Sequence, residues 1–138
     1  MPAPSLTRMA LVSFVDETTG GERREAWGLE IFEERLPLRE LIRRRVFQEV
    51  AEYNAKEPEL FHGLVQPGDA ERVLNGFRVR RGHRVDAEAQ FAKAVEAFSR
   101  NGFVVLVDDR QVEELDEEID LVMHTEVTFL KLVPLVGG

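Results

Sequence analysis

Cysteine is absent from the 138 residues, which excludes disulfides, thiolate metal ligands and a cysteine nucleophile. Long apolar runs are absent too, and the opening Met-Pro-Ala-Pro-Ser has neither the basic nor the apolar segment of a secretory signal. A cytoplasmic protein with no membrane partner is therefore expected. The three histidines, His62, His83 and His124, share no ligand spacing, so no metal site is expected. Basic residues are in deficit, 18 against 26 acidic, for a formal charge of −8. General nucleic-acid binding needs the opposite surplus and is not expected. No nucleophile stands beside a base in any recognisable arrangement, so the chain is expected to be no enzyme and to bind no cofactor of its own.

What is present suits one folded domain spanning 1–138. Hydrophobic residues make up 43% and charged residues 32%, enough to build a continuous core. No repeat or low-complexity tract interrupts the sequence. Arg8 to Val15 is rich in apolar and β-branched residues and reads as a strand. Asp16 to Glu22, with Gly20-Gly21, concentrates turn formers, and Glu25 to Phe32 supplies the second arm of a hairpin. Leu36-Pro37 then opens a long amphipathic helix, expected over about Pro37 to Asn54, because Leu38, Leu41, Ile42, Val46, Val50 and Tyr53 recur at helical intervals.

The final third begins with Phe103-Val-Val-Leu-Val107, a buried strand by composition, turned by Asp108-Asp109 into a brief Gln111-Val112. An acidic connection, Glu113 to Asp120, leads to a last strand over Thr125 to Val133. The expected core is Val12 and Phe14, Leu29 and Ile31, Leu41, Ile42 and Val46, Val104 and Leu106, and Val127 and Phe129.

Between the long helix and the third strand lies extra material, residues 55–101. Asp86 is placed to cap a second helix running to Phe98, with Phe91, Ala94, Val95 and Phe98 on one apolar stripe and Asn101-Gly102 ending it. That stripe is too narrow for a core of its own, so the helix is expected to dock on the main body. Glu57 to Val85 reads as a loop or short hairpin, with a helical turn near Asp69 to Leu74. Two basic clusters stand out, Arg43-Arg44-Arg45 and the group Arg78, Arg80, Arg81 and Arg84. Each is a candidate patch for an acidic protein partner, against the plainer reading of solvated arginines.

The stretch from Phe103 to Leu121, followed by Thr125-Glu-Val-Thr-Phe-Leu-Lys-Leu-Val-Pro-Leu-Val-Gly-Gly138, resembles the C-terminal half of ubiquitin-like proteins and their prokaryotic sulfur-carrier relatives, whose extended tails end in Gly-Gly. The hairpin and long helix match by order alone, and residues 55–101 depart from the family as an insertion. The resemblance implies an α+β fold, the ubiquitin-like β-grasp, in which a mixed sheet wraps a long helix.

It also implies that the working group is the Gly138 carboxylate, on a flexible tail spanning 134–138. In the family, an ATP-dependent activating enzyme adenylates this carboxylate, so ATP is the partner's cofactor. Gly137 and Gly138 would let the tail enter a narrow active site. Pro134, Leu135 and Val136 would meet the activating enzyme, Pro134 by limiting the tail's freedom and the other two by filling apolar pockets. The expected function is a protein modifier conjugated to target proteins, with an activating enzyme, a conjugating enzyme and a deconjugating protease as partners. The 15 arginines against 3 lysines suggest a bacterial source. The alternative is a sulfur carrier holding sulfide as a C-terminal thiocarboxylate for cofactor or thio-compound synthesis.

Overall fold

The computed structural model describes residues 10–74, 76–122 and 124–132, with the Trp27 side chain outside that description. The chain is α+β and divides into two compact units. The first comprises the residues up to Arg39 together with those from Asn101 onward, and the second is Glu40–Arg100.

The first unit is built on a five-stranded mixed sheet. In chain order its strands are β1 (Ala10–Thr18), β2 (Arg23–Ile31), β6 (Phe103–Val107), β7 (Arg110–Val112) and β9 (His124–Lys131), and in space they lie β2-β1-β9-β6-β7. All neighbours are antiparallel except the central pair, β1 with β9, which runs parallel from Leu11 beside His124 to Thr18 beside Lys131. The β1–β2 hairpin closes through Thr18 and Glu22, and Gly21, at φ 94°, takes the left-handed turn position that a side chain would disfavour.

Alternation along the strands places one face in the core. Val12, Phe14, Ile31, Val127 and Phe129 are all buried, as the sequence suggests, with Phe129 tilted against Phe14 at 5.8 Å and Phe103 at 6.0 Å between ring centroids. On β6 the expected register is wrong by one residue. Phe103, Val105 and Val107 are buried, while Val104 and Leu106 are only half-buried. The unbroken run Phe-Val-Val-Leu-Val carries no alternation, so only its pairing with β9, Val105 beside Phe129, settles which face turns inward. Leu29 is half-buried as well.

Asp108 and Asp109 turn β6 into β7 with φ of 46° and 72°. The Asp108 carboxylate accepts from the Glu126 N–H at 3.1 Å, locking the turn to β9.

Two short strands escape the sequence reading. Arg35–Pro37 (β3) pairs antiparallel with Glu118–Asp120 (β8). Pro37 therefore belongs to β3 and not to the first helical position. The helix α1 (Leu38–Lys56) starts one residue later, its Leu38 and Arg39 N–H groups donating to the Glu117 and Leu115 carbonyls.

The second unit holds the rest of α1, the hairpin β4 (Ala70–Val73) and β5 (Gly76–Val79), and the helix α2 (Ala87–Ser99). Asp86 caps α2 by accepting from the Glu88 and Ala89 N–H groups, as its position suggests. On the α2 stripe Ala94 is buried together with Gln90, and Phe91, Val95 and Phe98 are half-buried. The helical turn expected near Asp69 is instead β4, whose partner β5 holds it extended.

Candidate functional site

The tail residues Pro134, Leu135, Val136, Gly137 and Gly138 lie outside the described residues. Strand β9 shows where that sequence leaves the sheet. Its last residue, Lys131, lies beside Thr18, and its carbonyl accepts from the Thr19 N–H at 3.1 Å. Leu132 therefore emerges, half-exposed, at the end of the sheet that carries the β1–β2 turn.

The two basic clusters have opposite fates. Arg43, Arg44 and Arg45 do not form a patch. On a helix they point three ways and each has its own carboxylate, Glu88 for Arg43, Glu40 for Arg44 and Glu49 for Arg45, all at 3.2 Å. Arg45 is wholly buried, and Glu49 is 5% exposed. The Glu49 carboxylate receives the Arg45 Nε–H on one oxygen and the Leu64 N–H, at 3.0 Å, on the other. That second bond ties the loop after Phe61 to α1. Gly63 is required there, since a Cβ would overlap the Phe61 ring.

Arg78, Arg80, Arg81 and Arg84 are exposed, and none of them forms an ion pair or side-chain hydrogen bond among the described residues. Three of them, Arg78, Arg80 and Arg81, line a cleft of about 470 Å³ with Val79, Gly82 and His83 on the same segment. The other wall is the end of α1 and the turn after it, Tyr53, Asn54, Glu57, Pro58 and Glu59.

Two braces frame this cleft. The Asn54 side-chain amide donates to the Val85 carbonyl at 2.9 Å and accepts from the Val85 N–H at 3.0 Å, imitating a strand pair. Phe61 and Phe77 exchange backbone hydrogen bonds of 2.8 and 3.0 Å, joining the segment after α1 to β5. The Tyr53 ring meets Phe61 edge to face at 5.3 Å. Burial, and then the nearby Glu57 charge, raise the Tyr53 pKa.

The sequence reading found the arginine wall and missed its counterpart, Tyr53, Glu57 and Glu59. Its spacing puts Tyr53 on the apolar stripe of α1, where it is half-buried. A local signal for Glu57 does exist. Helices favour Gly in the left-handed position after their last turn and cations near that end, whereas here Glu57 takes φ 44° just after Lys56 and before Pro58.

No protein-family description, no curated protein and no solved structure matches this chain.

Proposed function

We propose that the chain is a ubiquitin-like protein modifier of β-grasp fold, activated at Gly138 by an ATP-dependent enzyme and conjugated to other proteins. The observation that carries this reading is the strand order β2-β1-β9-β6-β7. The first and last strands lie side by side and parallel at the centre, a hairpin precedes the long helix, and the last strand runs straight into Leu-Val-Pro-Leu-Val-Gly-Gly. Here the strand before the tail is held on both sides by β1 and β6, so a tail pulled into a partner's active site would leave the body intact.

The reading requires a free carboxylate on Gly138. Protein tagged at its N-terminus, expressed in its own cells and recovered under denaturing conditions, is expected to appear partly as higher-mass conjugates whose digestion yields target peptides bearing the tail through Gly138. Deleting Gly137 and Gly138 should remove every conjugate and leave thermal unfolding unchanged. Conjugates that survive the deletion, or a mature protein whose intact mass shows Gly138 to be internal or blocked, would sink the proposal. An intact mass in which sulfur replaces one carboxylate oxygen, with no conjugates, would assign the sulfur-carrier role instead.

A further inference from the structure

We propose that the cleft between the end of α1 and the segment after β5 docks a protein partner through an extended acidic peptide, whose carboxylates meet Arg78, Arg80 and Arg81 and whose single cationic side chain meets Glu57 and Glu59. The inference holds whether or not Gly138 is activated, because it rests on the cleft alone.

Acidic residues outnumber basic ones 26 to 18, so carboxylates are not scarce. Arg23, Arg35, Arg39, Arg43, Arg44, Arg45, Arg100 and Arg110 each have one within 4 Å. Among the described residues Arg24 and Arg72 have none, and neither do the four arginines of the seven-residue stretch from Arg78 to Arg84, although Glu71 sits directly across the β4–β5 ladder from Arg78. Water and salt screen these exposed charges from one another, and the guanidinium groups are left available to an external anion. The guanidinium fork suits carboxylates, which it binds through two parallel N–H groups.

Glu57 and Glu59 then restrict the ligand. A polyphosphate would bring negative charge against both, on a body that is already strongly acidic, so nucleic acid fits poorly. Glu57 lines the wall although its left-handed backbone and its place at a helix C-terminus both disfavour it there. A small molecule fits less well than a peptide, because the charged lining residues are exposed and do not enclose a ligand. A peptide, by contrast, alternates charge along its length and lies in an open cleft. The Asn54–Val85 and Phe61–Phe77 braces hold both walls in place before it arrives, which lowers the entropy lost on binding.

The test uses the full chain and a fluorescein-labelled peptide of alternating Glu and Gly carrying one Lys, read by anisotropy at low and high salt. Saturable binding that weakens with salt is expected. Arg78→Glu, Arg80→Glu and Arg81→Glu together should weaken it at least about tenfold. A control with the same change in net charge, Arg24→Glu, Arg35→Glu and Arg110→Glu, should leave it nearly unchanged. Glu57→Lys should weaken the Lys-bearing peptide and not its Lys-free counterpart, with thermal unfolding confirming that each variant is folded. The proposal is overturned by any of three results: no saturable binding of either peptide, equal loss in the cluster and control variants, or a single-stranded oligonucleotide of equal charge binding as tightly as the peptide.

Discussion

The two units are held by different means. In the first, cohesion runs through backbone ladders between long strands, with apolar side chains alternating into the core and ion pairs such as Arg35–Asp120 and Arg110–Glu117 confined to the surface. In the second, the long segment from Glu57 to Asp86 has, among the described residues, a hairpin of two four-residue strands and the Phe61–Phe77 bridge, and polar side chains anchor much of the rest. Glu49 holds Leu64, Asn54 holds Val85, Gln90 holds the Val65 carbonyl at 3.0 Å and Lys93 the Gln66 carbonyl at 3.2 Å. A ladder shares its load over many equivalent bonds, so any one is replaceable. A side-chain anchor supplies, among the described residues, the one partner of a buried or part-buried backbone group, and its loss leaves that group unsatisfied.

The comparison breaks most visibly at Glu49 and Phe129. Phe129→Ala in the first unit should cost about 3–5 kcal/mol by cavity formation. Glu49→Gln should cost a similar amount, about 3–5 kcal/mol, although it removes no volume, because it leaves the buried Arg45 charge without its carboxylate. Urea unfolding of the two variants measures both. Replacing the pair together, Arg45→Met with Glu49→Leu, should recover most of that loss, since buried ion pairs often yield to apolar residues of like size. Recovery should stop short of wild type, as the Leu64 N–H still lacks an acceptor. Full recovery would show that the Glu49–Leu64 bond holds nothing.

A smaller effect, about 1–3 kcal/mol, is expected for Asn54→Ala, which orphans both the N–H and the C=O of Val85. Hydrogen exchange gives the sharper reading. The Val85 amide should lose protection while amides of β1 and β9 keep theirs, because the anchor acts locally and the ladder does not depend on it. Equal loss in both places would remove the distinction between the units.

The same distinction explains what the sequence discloses. The hairpin, the Asp108-Asp109 turn, the Asp86 cap and both helices follow from periodicity and turn chemistry, which are local. The face of β6 does not, because its five apolar residues look alike until β9 pairs with them. Strands β3 and β8 are three residues each and exist only through each other. Arg45 reads as one of three consecutive surface arginines, yet the spacing Leu38, Leu41, Ile42, Arg45, Val46, Glu49 and Val50 puts it on the buried face with a carboxylate four residues on. At the cleft, the arginines are neighbours in sequence and therefore legible. Their acidic counterpart, twenty residues earlier, is brought opposite by the Phe61–Phe77 bridge and is not.

The smallest expected effect is a gain. Glu57→Gly relieves a left-handed conformation and removes an anion from a helix C-terminus, so it should stabilise the protein by about 1 kcal/mol. The chain has one tyrosine, so phenolate absorption reports Tyr53 alone. Burial first, and Glu57 second, raise its pKa. With the folded pKa raised, Tyr53 adds stability that is fully present below its ordinary value of about 10 and is lost as pH rises through the folded value. Glu57→Gly should therefore lower the titration midpoint without returning it to the ordinary value, because burial by itself still disfavours the phenolate. If the midpoint does not move, the Glu57 carboxylate does not act on Tyr53 beside it on the cleft wall. If the midpoint falls and stability rises while the acidic peptide with its Lys binds less well, the carboxylate at position 57 is held there for the ligand and at the expense of the fold.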